Sequence, residues 1–229
     1  MKQINVRWVP VSETSLMLYM GDEINVRQAP LIGELARMIK SSFAEVCEVT
    51  ASYTSLLVQV RVGDAGIDEL GEKLTDMIRS ADFSEAVTGK LIELPVYYDP
   101  EVGPDLELVA SARGLSIEEV IAIHSGKDYT VCAVGFAPGF AFLAEVDQRI
   151  ATPRHERPRA MVPAGSVGIA DRQTAVYPLD TPGGWQLLGR CPLALFDAGQ
   201  TPMSPFEVGD RVRFIPVGRE DYLERGGCV

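Results

Sequence analysis

Side chains suited to holding a small polar ligand crowd into one stretch of the chain. From Val162 to Phe196 the sequence VPAGSVGIADRQTAVYPLDTPGGWQLLGRCPLALF is poor in charge. It nevertheless supplies Ser166, Gln173, Thr174, Tyr177, Thr181, Gln186 and Arg190 as donors and acceptors. Gly165, Gly168, Gly183, Gly184 and Gly189 allow sharp turns or a close backbone approach, and Pro163, Pro178, Pro182 and Pro192 stiffen the connections. A tightly turned β segment has the same composition, so a binding site and a purely structural role both remain open for this run.

Charge recognition could come from PRHERPR, residues 153–159, where Arg154, Arg157 and Arg159 are separated by prolines. A guanidinium offers paired donors in a fixed fork that suits carboxylate or phosphate. Arg159, nearest to VPAGS, is either an anion-binding residue or part of a solvated loop with local pairing to Glu156, and Arg157 reads as the latter. Arg190 is the second candidate, against a salt bridge to Asp180 or Asp197. His124 shares a helix face with Ile117 and Ile121 just before Gly126, so it is either a packing residue or a proton-moving group. Phe136, Phe140, Phe142 and Trp185 supply either a hydrophobic wall or core; Pro138-Gly139 argues against one uninterrupted strand carrying all three phenylalanines.

Several chemistries lack their signatures. Ala164-Gly165-Ser166-Val167-Gly168 is one residue away from a nucleophile elbow, but β and turn signals follow it. Both histidines, His124 and His155, precede the serine. Gly66 to Lys73, GIDELGEK, misses the P-loop because glutamate occupies the lysine position, and it reads as an amphipathic helix. Glu101, Asp105 and Glu107 read as helix-start acids more than as metal ligands, so no metal site is assigned.

Composition sets the outer bounds. A chain of 229 residues with 46% apolar and 23% charged residues is typical of a folded globular protein, and long enough for two small domains. The net charge of −11 opposes nucleic-acid binding. Four cysteines without a C-x-x-C pair suit a reducing compartment. With neither a bilayer-length apolar run nor a signal-peptide pattern, the expectation is a cytoplasmic protein with no membrane partner.

The elements that must position these groups fall into two halves. Ile4 to Val9 and Ser15 to Met20 read as strands, Leu31 to Ile39 as a helix, Val46 to Ala51 and Ser55 to Val62 as strands, and Ile67 to Ile78 as a helix. The order is ββαββα, a small α+β sandwich over residues 1–90. A strand around Lys90 to Tyr98 leads into residues 91–229. There Asp105 to Ala112 and Ile117 to Ser125 read as helices, the second opened by a Ser116 and Glu119 capping box. From Tyr129 onward short strands and turns predict a mostly antiparallel barrel or sandwich.

The glycine-rich run, together with GFAPGFAFL at 135–143 and PRHERPR, resembles the family of the B component of 5-oxoprolinase, also called KipI or allophanate hydrolase subunit 1. The resemblance runs from GDEIN at 21–25 through PVYYD at 95–99 to GDRVRF at 209–214, with VPAGSVGIA and TPGGWQLLGR its most specific motifs. It implies an α+β N-terminal domain followed by a cyclophilin-like β-barrel. It also implies one component of an ATP-dependent 5-oxoprolinase that opens the lactam of 5-oxoproline to glutamate.

On this reading the chain works directly with the C component of 5-oxoprolinase in activating the lactam, by phosphorylation, and functionally with the A component. ATP and magnesium occupy a site shared with, or supplied by, the partner. His124 and Arg190 are then the catalytic candidates, and Arg159, Ser166, Gln173 and Tyr177 the substrate-binding ones, with no nucleotide-contacting residue assigned. Cys191 stands where the family usually has threonine, and Ala137 where a larger apolar residue is common. Two other roles fit the same resemblance: an inhibitor of a sensor histidine kinase, and a carboxyl-transfer component of a urea carboxylase system.

Overall fold

The computed structural model describes residues 6–63, 66–81 and 89–229. Its chain forms two compact units, Met1–Gly89 with Glu207–Gly209, and Lys90–Phe206 with Asp210–Val229.

The first unit contains β1 (Arg7–Ser12), β2 (Ser15–Tyr19), α1 (Ala29–Ser42), β3 (Val46–Ser52), β4 (Ser55–Val60) and α2 (Ile67–Ser80). The expected Ile4 start of the first strand lies outside the described residues. The sheet order is β1-β2-β4-β3, antiparallel throughout. Period-2 alternation points Leu56, Val58 and Val60 of β4 inward. Helical spacing does the same for Ile32, Leu35 and Ile39 of α1 and for Leu70, Leu74 and Ile78 of α2. Pro30 lies in the first turn of α1, where its missing N–H would have had no intrahelical acceptor. Gly66 to Lys73, the near miss of a phosphate loop, runs into α2.

The second unit begins with β5 (Leu91–Val96), α3 (Leu106–Arg113), α4 (Ile117–Ser125), β6 (Asp128–Val134) and β7 (Ala141–Ala144). It continues with β8 (Arg159–Val162), β9 (Ser166–Ala170), β10 (Gln173–Val176) and β11 (Thr181–Gly183). It ends with β12 (Gln186–Arg190), β13 (Arg211–Pro216) and α5 (Arg219–Glu224). Seven strands form a mixed sheet in the order β12-β9-β10-β7-β6-β13-β5. The pairing of β13 with β5 is parallel, from Arg211 opposite Leu91 to Pro216 opposite Val96. A strand returning from so far along the chain is free of the hairpin constraint that makes sequence neighbours antiparallel.

The sheet curls until its two edges meet. Just beyond β5, Tyr97 N–H donates to Arg190 O at 2.9 Å, and Arg190 N–H returns a bond to Tyr97 O at 2.8 Å. The result is a nearly closed barrel accompanied by a few helices. The seam needs a glycine beside it, because a Cβ at Gly189 would lie 2.5 Å from Tyr97 O.

Strand β9 is buried along its whole length. Val167 and Ile169 join the main core with Leu94, Tyr129, Val131 and Phe214, while Ala170 joins a second cluster built around Phe140, Tyr177 and Trp185. Helix α4 carries the complete capping box, with Glu119 N–H donating to Ser116 Oγ and Ser116 N–H donating to Glu119 Oε2.

Candidate functional site

The aromatic cluster opens into a cavity of about 340 Å³. Its walls are Phe140, Phe142, Tyr177 and Trp185, with Gly183 and Arg154 also on the lining. A tight loop brings the phenylalanines together. Gly135 N–H donates to Phe140 O at 3.0 Å, Phe140 N–H donates to Ala137 O at 2.9 Å, and Phe136 and Gly139 adopt positive φ of 77° and 80°. The Phe140 ring then meets Phe142 at 4.8 Å, Tyr177 at 5.4 Å and Trp185 at 5.8 Å, all edge to face. Such contacts hold a rigid wall. The three phenylalanines therefore converge through the Pro138-Gly139 turn rather than along one strand.

Tyr177, an expected substrate-binding residue, lies on this wall. Burial raises its hydroxyl pKa, opposed by a backbone hydrogen bond with Trp185 and by the nearby charges of Arg154 and Arg159. At neutral pH it is therefore a neutral phenol able to donate or accept. Opposite the Tyr177 hydroxyl, a Cβ on Gly183 would stand only 2.5 Å away. Glycine at this position keeps the space open.

Among the described residues, Arg154 is the only charged one on the lining. Its peptide neighbours are pinned on both sides: Gln186 Nε2 donates to Pro153 O at 2.8 Å, and His155 N–H donates to Gly184 O at 2.7 Å. The cavity and Arg154 are thus built from the same two segments.

Behind the wall, a buried carboxylate meets two half-buried side chains, Arg159 and His155. Asp105, only 4% exposed, accepts from Arg159 Nη2 at 2.7 Å through Oδ1 and from Leu187 N–H at 2.7 Å through Oδ2. Arg159 Nη1 also donates to Trp185 O at 3.3 Å. His155 Nε2 lies 3.2 Å from the same Asp105 oxygen but is not aligned for a hydrogen bond, and it is buried without a hydrogen-bond partner among the described residues. Arg159 was expected to clamp a ligand anion. The structure instead pairs it with Asp105, because a buried carboxylate requires a compensating cation.

The other expected residues lie away from the cavity lining. His124 is completely buried in the main core, its ring stacked on Phe214 at 4.7 Å. Thr174 Oγ1 donates to Gly168 O at 2.9 Å, so it accepts from His124 Nε2, also at 2.9 Å; His124 Nδ1 then accepts from Tyr98 Oη at 2.7 Å. Burial drives its pKa down to about 3, which keeps the ring neutral. The expectation that His124 lines a cleft is thus corrected: it ties α4 to β10.

Ser166 is buried at the head of β9, after Gly165 with φ 82°, and a strand rather than a helix follows. Gln173 opens β10, opposite Ala144 and Ala170. Arg190 makes neither of the expected carboxylate contacts: its Nε donates to Ala164 O at 2.9 Å and its Nη1 to Cys228 O at 3.1 Å. Asp180 instead accepts from Ala164 N–H at 2.7 Å. Arg154 was legible only as a member of the proline-spaced arginine run. Proximity to VPAGS favoured Arg159 instead, because the feature that separates the two, the reach of Asp105 from α3, is not local in the sequence.

Among the described residues no group of three or more His, Cys, Asp or Glu side chains is placed to hold a metal ion. Nor, among the described residues, is any helix long and apolar enough to cross a membrane.

Residues 6–206 match the family described as carboxyltransferase domain, subdomain C and D. The chain is 40% identical to the 5-oxoprolinase B component of Bacillus subtilis (strain 168) over 223 residues, covering 93% of this chain and 93% of that one. It is 36% identical to the 5-oxoprolinase B component of Escherichia coli O157:H7 over 206 residues, covering 90% and 94% respectively. Among solved structures, that of TTHA0988 superposes with a TM-score of 0.76 at 33% identity, covering 93% of this chain; this chain spans 40% of that longer one.

Proposed function

The chain belongs to the family of the 5-oxoprolinase B component, within the carboxyltransferase-domain family of subdomains C and D, and on that premise we propose that it acts in an ATP-dependent 5-oxoprolinase. Its direct partner is the C component, with which it activates the lactam. The A component completes hydrolysis to glutamate, and the complex works in the cytoplasm on a cyclophilin-like barrel scaffold.

The observation carrying this reading is the aromatic cavity with Tyr177 and Arg154 on its lining. A five-membered lactam has two apolar faces for such a wall, together with a polar rim. The amide of the lactam is resonance-stabilised, and phosphorylation of its oxygen by ATP makes the ring carbon attackable by water. The task of this chain is to hold the ring, exclude bulk water with Phe140, Phe142 and Trp185, and orient the polar edge through Tyr177. Nucleotide and magnesium are supplied by, or shared with, the partner. The pair of buried Asp105 and half-buried Arg159 fixes the wall from behind through Trp185 O and Leu187 N–H.

Co-elution of this chain with the C component, and glutamate release from 5-oxoproline with ATP and magnesium that stops when the chain is left out of the mixture with the A and C components, tests the reading. Glutamate release that continues without the chain refutes it. The family's description as a carboxyltransferase favours a second reading, carboxyl transfer. A complex that assembles, makes no glutamate and decarboxylates carboxybiotin in the presence of an amide acceptor would support that reading instead.

A further inference from the structure

We propose that Arg154 is the residue by which this cavity selects its ligand, and that the class selected is a single small ring carrying one carboxylate. The proposal rests on the reading of the cavity as the place where the substrate ring is held. It adds the group that discriminates and the feature that is read.

Four observations converge on Arg154. Among the described residues it is the only charged one on a lining otherwise made of aromatic rings, prolines and glycines. Its guanidinium has no hydrogen bond or ion pair with the described residues, whereas Arg159 is held by Asp105 at 2.7 Å. The one buried acid of the neighbourhood is thereby taken up by Arg159 and Leu187 N–H, which leaves Arg154 open to a ligand. The peptides on either side of Arg154 are bonded to Gln186 and to Gly184, so its backbone is held before any ligand arrives.

The chemistry follows from the donor geometry. One guanidinium presents one planar fork, which matches one carboxylate; a dianionic phosphate beside an apolar wall would need further cations. Arg154 is itself exposed at the mouth of the cavity, where its fork is open to an incoming carboxylate. A cavity of about 340 Å³ is at the small end for ligand sites and suits a single ring.

The test uses the full chain carrying Trp8→Phe, so that Trp185 on the cavity wall is the remaining tryptophan. Its emission is titrated, in the presence and absence of the C component, with 5-oxoproline, cyclopentanecarboxylate and 2-pyrrolidinone. Both carboxylates should bind, with 2-pyrrolidinone weaker by about tenfold or more. Arg154→Gln should weaken both carboxylates by about tenfold or more and leave 2-pyrrolidinone within about twofold, while Arg154→Lys should recover part of the loss.

Unchanged carboxylate affinity in Arg154→Gln, equal binding of 2-pyrrolidinone and 5-oxoproline by the parent, or no saturable response to any probe would each overturn the proposal. Carboxylate selectivity without glutamate formation in the reconstituted system would keep Arg154 and refute the oxoprolinase reading. Glutamate formation with kcat/KM unaffected by Arg154→Gln would do the reverse.

Discussion

Asp105 and Arg159, brought from the start of α3 and the start of β8, meet at 2.7 Å beside the backbone of Trp185 and Leu187. The carboxylate is almost fully buried, and it makes no side-chain capping bond to its own helix. It serves the wall of the cavity instead.

Arg159→Met should therefore destabilise the protein by about 2–4 kcal/mol, since it leaves a buried carboxylate with Leu187 N–H as its remaining aligned donor. The expected thermal shift is a fall of roughly 5–12 °C. The double variant Arg159→Met with Asp105→Leu should recover part of that loss. Calorimetry of the three proteins checks this, and a single variant as stable as the parent would show that the pair contributes nothing.

His124 gives the stability a pH dependence of defined sign. Its ring is held neutral in the folded protein, with a pKa of about 3 against an ordinary 6.5, so below pH 6.5 the unfolded chain takes up a proton that the folded chain refuses. The contribution is fully present above pH 6.5 and declines toward pH 3, by up to about 1.4 kcal/mol per pH unit. Urea unfolding between pH 7 and pH 4.5 should show a shallower loss for His124→Gln than for the parent. Parallel curves would contradict the neutral, buried ring.

Gly183 faces the Tyr177 hydroxyl, and a methyl group there would lie 2.5 Å from that oxygen and 2.9 Å from two ring carbons. Gly183→Ala should lower affinity for 5-oxoproline by about tenfold through crowding of the wall. Adding Tyr177→Phe removes the closest atom but also the hydroxyl that orients the ring, so the double variant should regain stability without regaining affinity. Calorimetric titration distinguishes the two, and equal affinity in all three proteins would place the ligand elsewhere.

At the barrel seam, a Cβ on Gly189 would lie 2.5 Å from Tyr97 O, against backbone that has no side-chain freedom to move away. Gly189→Ala should cost about 1–3 kcal/mol and speed hydrogen exchange at the Tyr97 and Arg190 amides. Exchange rates equal to those of the parent would show that the edges are not held by these two bonds.

What the sequence discloses is what local chemistry decides. Ser116 and Glu119 sit three residues apart, and that spacing is enough to set the capping box seen at α4. The apolar rhythm of Ile32, Leu35 and Ile39 likewise marks the buried face of α1. The site is decided differently. Phe136, Phe140 and Phe142 come together only because Phe136 and Gly139 turn the chain through positive φ, which their spacing does not announce.

Asp105 reads locally as a helix-start acid, yet its partners come from β8 and β12. Once it claims Arg159, the unpaired guanidinium on the cavity lining, among the described residues, is Arg154, five residues earlier in the same proline-spaced run. Arg190 looks suited to an anion but is taken by two backbone carbonyls at the end of β12. His124 reads equally well as packing residue or acid–base group, and the stacking of Phe214 on its ring is invisible in one dimension.

The most direct test is glutamate release from 5-oxoproline, with ATP and magnesium, by the A and C components combined with the parent chain, with no added chain, or with Gly183→Ala. Turnover is expected only when the chain is present, with kcat/KM lowered about tenfold by Gly183→Ala in a complex that still assembles. Full turnover without the chain, or unaltered turnover with the crowded cavity, would contradict the claim that this chain holds the substrate ring.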